Sequence, residues 1–318
     1  MRFVLTSAVL FSVCLSLPAY ASEVSSLLKK MTDAEGQFNY QGVLVLHKAN
    51  TLLAMQVEHG SDERGVWESM ISLNGEPRRV VRFNDEVTSI FPRRQLLTVS
   101  QGKNKHSLHP ALPDNLEKLE AVYTIKRLKD DRIADHGAAV LDVVPKDGFR
   151  YGYRYWLDEK TGVLLRCDMI NEDQHVLEQM MFAMLEYLPA APEAAFTEFK
   201  PEGFKERRLD QLQTAQQSPV WQANNLPAGF MLTQSRVRQT PEGEVQHLAY
   251  SDGLASVSVF IESEQVARHK QEGASMMGAM NAYRTQMDQY FVTVVGEVPA
   301  ITVKQIAQSV TAVKPSAE

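Results

Sequence analysis

The sequence predicts an α+β chain in two units. The first is a large antiparallel sheet, unclosed and curved over helical elements; the second is a smaller α+β unit. Three observations predict this. Short runs of alternating apolar and polar residues recur roughly every 8–12 residues from Asn39 to Tyr187, with Gly, Asn and Asp at the breaks. A helical period of apolar residues stands at the start of this region, and an irregular proline-bearing stretch interrupts it. A segment of linker composition, 189–218, then precedes a second set of strand-like runs that closes on a helix.

In chain order, 22–36 (SEVSSLLKKMTDAEG) reads as an amphipathic helix. Val24, Leu27, Leu28 and Met31 share a face, Ser22 stands at its start, and Gly36 ends it. The period then changes to two, predicting strands over 39–48, 51–59, 64–73, 77–83, 86–91 and 95–99. Residues 100–118, with two prolines and many polar groups, form a loop or short helical excursion. Strands resume at 121–128, 138–145, 149–158, 162–170 and 175–187, with Asp147-Gly148 and Lys160-Thr161-Gly162 as turns. In the second unit the predicted strands are 229–238, 244–251, 254–262 and 291–298, and a helix follows Pro299. Asp252-Gly253, between two alternating runs, reads as a hairpin turn rather than the lip of an active site. The domain boundaries expected are 1–21, 22–188, 189–218 and 219–318.

Residues 1–21 carry a secretory pattern: Arg2, an apolar run over 3–17, and Ala19-Tyr20-Ala21 before a cut at Ser22. The expected product is an exported periplasmic protein with one cysteine, Cys167, and hence no internal disulfide. Arg2 is the sole charge in 1–21, so its loss takes the net charge from −6 to −7, which argues against nucleic acid as a partner. Cys167 alternates with Leu165 and Met169 and reads as a buried structural thiol.

The chain has no glycine-rich phosphate loop, no His-Glu-x-x-His, no Cys-x-x-Cys and no serine elbow. His106 and His109 lie three apart in a Lys- and Pro-rich loop and want further ligands to make a metal site. No enzyme activity, cofactor or metal is expected. Two stretches invite a binding role. In 149–157 (FRYGYRYWL), Phe149, Tyr151, Tyr153 and Tyr155 alternate with Arg150, Arg154 and Trp156, as either a core face or a binding wall. The methionines of 273–287 (GASMMGAMNAYRTQM) suit a flexible flap or a partner surface. The basic clusters Arg78/Arg79/Arg82, Arg93/Arg94 and Arg207/Arg208 are strand-edge charge, or receivers of phosphate or of an acidic partner.

Several separated stretches carry a family resemblance: FNYQGVLVLHK (38–48), LNGEPRRVVR (73–82), VVPKDGFRYGYRYWLDEKTGVLLRCDMI (143–170), LPAGF (226–230), YSDGLASVSVFIE (250–262) and VTVVGEVP (292–299). In their order and spacing they resemble the RseB/MucB family of periplasmic regulators of the sigma-E (AlgU-type) envelope-stress response; 264–290 fits that pattern least. The resemblance implies a LolA/LolB-like N-terminal domain, an unclosed β-barrel over helices, and a smaller C-terminal α+β domain. It implies binding to the periplasmic part of an RseA/MucA-type anti-sigma factor, shielding of that factor from site-1 proteolysis, and release by lipid or lipopolysaccharide. A lipid or lipoprotein carrier of the LolA/LolB type is the alternative, and self-association as a homodimer is left open. Alternation then nominates Leu53, Met55, Val57, Trp67 and Tyr153 as a lipid wall with Arg150 or Arg154 at a head group. It nominates Tyr250, Asp252, Leu254 and Phe260 as the partner surface.

Overall fold

The computed structural model describes residues 17–313 except 35, 102–115, 193–201, 210–217, 242 and 268–270. The N-terminal unit runs α1 (Leu17–Ala34), β1 (Asn39–Lys48), β2 (Thr51–Asp62), β3 (Gly65–Ser72), β4 (Arg79–Phe83), β5 (Glu86–Phe91), β6 (Leu96–Gln101), α2 (Leu116–Val122), β7 (Tyr123–Arg127), β8 (Asp131–Ile133), β9 (His136–Pro145), β10 (Gly152–Asp158), β11 (Leu164–Ile170) and β12 (Val176–Leu188). After it come β13 (Lys205–Arg208), β14 (Trp221–Ala223), β15 (Met231–Thr240), β16 (Gly243–Ser251), β17 (Ser256–Ser263), β18 (Gly273–Met277), β19 (Met280–Met287), β20 (Tyr290–Gly296), α3 (Ala300–Gln308) and β21 (Val310–Ala312).

The first sheet has the order β13-β6-β5-β4-β3-β2-β1-β12-β11-β10-β9-β7, with β8 on β9. No pairing joins β6 to β7, so the sheet stays open, as the alternation predicts. Its concave face packs on α1 through Val24, Leu28, Met31 and Ala34, and on α2 through Leu119 and Val122. Those apolar residues recur every three or four positions, so each helix presents one stripe to the sheet. The helix predicted over 22–36 is α1, which begins earlier at Leu17. The cleavage pattern of 1–21 lies mostly outside the described residues, as do His106 and His109.

Register decides which predicted residues face inward. Leu44 pairs with Met55, Leu46 with Leu53, and Gly42 with Val57, so Leu53, Met55 and Val57 share the concave face. Tyr153 and Tyr155 join it through Met169 and Cys167. Gly42 is required here, because a Cβ at 42 would lie 2.3 Å from the Met184 carbonyl. Trp67 does not join that wall. Val57 opposes Met70 whereas Trp67 opposes Gly60, which sets the buried indole on the other face of the sheet. A glutamate at 67 would therefore attack the fold and would report nothing about a lipid wall. Arg154 is also on the outer face, paired with Asp142 at 2.8 Å.

Within the predicted linker, the described residues include a strand, β13. β13 extends the open edge by pairing parallel to β6, and Phe204 covers Ile90, Leu97 and Val99. Four polar residues, KERR, make a strand here because β6 offers unpaired backbone groups.

The second sheet has the order β15-β16-β17-β20-β19-β18 and packs one face on α3 through Val303, Ile306 and Ala307. The methionine segment forms the hairpin β18–β19. Its two-residue turn is Gly278-Ala279, with Gly278 at φ +62°.

Candidate functional site

The two sheets meet along a polar seam, and the Ser251-Asp252-Gly253 hairpin lies at its centre. Asp252 Oδ1 accepts the backbone N–H groups of Leu254 (2.9 Å) and Ala255 (2.7 Å), which closes the β16–β17 turn with Gly253 at φ +106°. That leaves Oδ2 free of the turn, and it crosses to the N-terminal unit. The Tyr123 hydroxyl donates to it at 3.1 Å, and Arg150 Nη1 donates to it as well. The side chains of Arg150 and Asp252 are both 0% exposed.

Arg150 is held from several directions. Its Nη2 donates to Asp147 Oδ2 (2.9 Å) and to the Ala228 carbonyl (2.6 Å), and its Nε to Asp147 Oδ1 (3.1 Å). The guanidinium lies over the rings of Phe230 (5.2 Å) and Tyr123 (5.6 Å). Burial opposes its charge, but hydrogen bonding to Asp147 and the charges of Asp252 and Asp147 outweigh it and raise its pKa. Burial, then the Asp252 carboxylate, pushes the Tyr123 phenol far up, so it stays a donor.

Three further contacts extend the seam. Lys48 Nζ bridges Glu178 (3.0 Å) of β12 and Glu297 (2.6 Å), the residue after β20. Thr302 Oγ1, in the first turn of α3, donates to the Phe149 carbonyl at 2.7 Å. Asn281 Nδ2 donates to the Tyr151 hydroxyl (3.1 Å) and the Val298 carbonyl (2.8 Å). The β18–β19 turn completes the contact: Ala279 is fully buried in the N-terminal core, and Leu254 from the other hairpin packs into the same core. Between these contacts runs a cleft of about 470 Å³, lined among others by Tyr151, Tyr153, Leu177, Met276 and Asn281.

The predicted lipid residues therefore separate. Tyr153 and Arg150 meet at the cleft, whereas Leu53, Met55 and Val57 lie elsewhere on the concave face and are not among its lining. Arg150, expected at a head group, is instead consumed by the seam. Of the predicted partner residues, Tyr250, Asp252 and Leu254 are buried, because their side chains point to α3 or across the seam. Phe260 alone lies on the outer face, half-buried and stacked on His247 (4.6 Å, 6°). Sequence reading passed over Tyr123, Asp147, Lys48, Asn281 and Ala279. Only Asp147 left a local trace, as the turn residue two before Phe149, whose N–H it accepts at 3.0 Å.

Two solution properties follow. Burial, then the neighbouring Arg236, holds the His247 pKa below 6.5, so folding favours the neutral ring. The resulting stability is full above 6.5 and is lost as pH falls through the lower folded value. The denaturant midpoint of the second unit should drop between pH 7 and 5, and His247→Gln should flatten that drop. Burial also pushes the Cys167 thiol far up, so Cys167 should stay unreacted with a thiol reagent in the native protein and react once it is unfolded.

Comparison with known proteins adds the family. The model of the MucB/RseB N-terminal domain matches residues 23–202, and that of the MucB/RseB C-terminal domain matches 214–311. The sigma-E factor regulatory protein RseB of Haemophilus influenzae is 27% identical over 307 residues, covering 96% of each chain. The sigma factor AlgU regulatory protein MucB of Pseudomonas aeruginosa is 29% identical, covering 93% of each. The solved MucA/MucB complex of P. aeruginosa contains a chain 28% identical to this one, with a TM-score of 0.72 over 92% of this chain and all of that one. Two matched domains in the same order, over two sheets joined by a buried seam, place this chain in the MucB/RseB family.

Proposed function

We propose that this protein acts in the periplasm as a negative regulator of a sigma-E-type response by binding the periplasmic part of a MucA/RseA-type anti-sigma factor. The observation that carries this reading is the two-domain match, at TM-score 0.72, to MucB in a structure described as a MucA/MucB complex. A carrier of lipid needs only the first sheet and its helices; the second sheet and the seam are the parts a regulator requires. The outer face of the second sheet around Phe260 and His247 is the partner surface, with Tyr250, Asp252 and Leu254 setting its orientation from behind.

Binding shields the anti-sigma factor from its first protease, and lipid or lipopolysaccharide ends the shielding. A ligand reverses binding only if it prefers a different state of the protein. In this reading the seam is the element that switches, and lipid entering beside Tyr153, toward Leu53, Met55 and Val57, competes with its closure. The test is cleavage of the anti-sigma periplasmic segment by its site-1 protease. Cleavage should slow when this protein is present and recover when lipopolysaccharide is added. Unchanged cleavage with the protein in excess would sink the shielding mechanism.

A further inference from the structure

The rim of the first sheet, at the loops joining β1–β2, β3–β4 and β5–β6, gathers positive charge and exposed leucine. The three loops are tied in a row. The Leu73 N–H donates to the Ala54 carbonyl (2.8 Å), and Asn74 Nδ2 donates to the Leu52 carbonyl (2.8 Å). Arg94 then spans the next gap to Glu76 through Nε (3.0 Å) and Nη2 (3.1 Å). Over 73–78 and 92–95 that glutamate is the sole carboxylate, against the exposed Arg78, Arg93 and Arg94. Lys205 adjoins them, its N–H donating to the Gln95 carbonyl at 2.8 Å. The Phe91 ring holds the guanidinium carbons of Arg78 (5.4 Å) and Arg94 (5.7 Å) near its centre. Beside them Leu52 and Leu73 are 58% and 53% exposed.

Like charges gathered this way repel one another, and one glutamate does not offset them. The sequence is acidic overall, at −6, so the rim is a local reversal of sign. Its cations stand on loop tips beside apolar side chains and not inside a groove. An acidic peptide would call for a groove and for backbone partners; a flat anionic surface with an apolar layer beneath calls for tips. We infer that this rim docks on the phosphate-bearing surface of an anionic lipid bilayer, the arginines at the phosphates and Leu52 and Leu73 below them. The inference stands apart from the anti-sigma reading and goes beyond it.

The test is co-sedimentation of the purified protein with vesicles of phosphatidylcholine, with and without phosphatidylglycerol. Binding should appear with the anionic lipid and weaken as salt rises. Arg78→Ala/Arg93→Ala/Arg94→Ala should lower the partition coefficient on the order of 100-fold, at about 1 kcal/mol for each cation near the surface. A control, Lys126→Ala/Lys129→Ala/Arg132→Ala, makes the same net charge change on exposed positions near the opposite edge of the sheet. It should bind nearly as the unmodified protein does. Leu52→Ser/Leu73→Ser should weaken binding with little change in its salt dependence. Absence of binding to the anionic vesicles, or equal weakening by both triple variants, would overturn the inference. Anti-sigma binding by the arginine variant, measured alongside, should be retained and keeps the two readings separable.

Discussion

Asp252→Asn should loosen the two sheets from each other while leaving the β16–β17 turn intact. Oδ1, which closes the turn, is kept as the amide oxygen, and Oδ2, which receives Tyr123 and Arg150, becomes an amide nitrogen. Removing one partner of a fully buried ion pair costs about 3–5 kcal/mol, and Asp147 still serves Arg150, so about 3 kcal/mol is expected. The loss should show as a lower denaturation midpoint and as a longer distance between spin labels placed on the two sheets. Adding Arg150→Met to Asp252→Asn should recover part of the stability, because no unpaired charge is then buried while Oδ1 still closes the turn. If Asp252→Asn keeps both midpoint and label distance, the seam is not held by this pair.

Ala279→Asp should open the same seam from its other end. Ala279 is 0% exposed and packs into the core of the first sheet from the tip of the β18–β19 hairpin. An ionised carboxylate without a partner is not tolerated there, at a cost of about 3 kcal/mol or more. Withdrawing the hairpin costs less than burying the charge, so the expected outcome is separation of the sheets with each still folded. Spin-label distances should lengthen as in Asp252→Asn, and the double variant should fall well short of additivity, since an opened seam cannot open twice. Full additivity would mean that the two contacts act independently.

Much of the fold was legible because alternation reports strands directly. β1 and β5 fall on the predicted 39–48 and 86–91, and the Asp252-Gly253 turn stands where the chemistry of the dipeptide put it. What alternation does not carry is which face turns inward. Trp67 and Val57 look equivalent within their strands, and only the pairing of Trp67 with Gly60 separates them. β18 and β19 stayed hidden because Gly, Ala, Met and Asn have weak strand preference, and their pairing is stabilised by β20 and by burial of Ala279. β13 depends on a free edge distant in sequence. The seam was least legible of all. Arg150 looked like one of several arginines facing out, and its partners Asp252 and Ala228 lie 102 and 78 residues away. Nothing local marks a contact made at that distance.

The proposed function requires one capacity, recognition of an anti-sigma factor by the joined pair of sheets. Its direct measure is the affinity of the purified protein for the periplasmic segment of its host's MucA/RseA-type anti-sigma factor, with and without lipopolysaccharide. Tight binding that is weakened by Asp252→Asn and reversed by lipopolysaccharide is the predicted result. Lipopolysaccharide binding by the folded protein with no affinity for the anti-sigma segment would contradict it and leave a lipid carrier as the better reading.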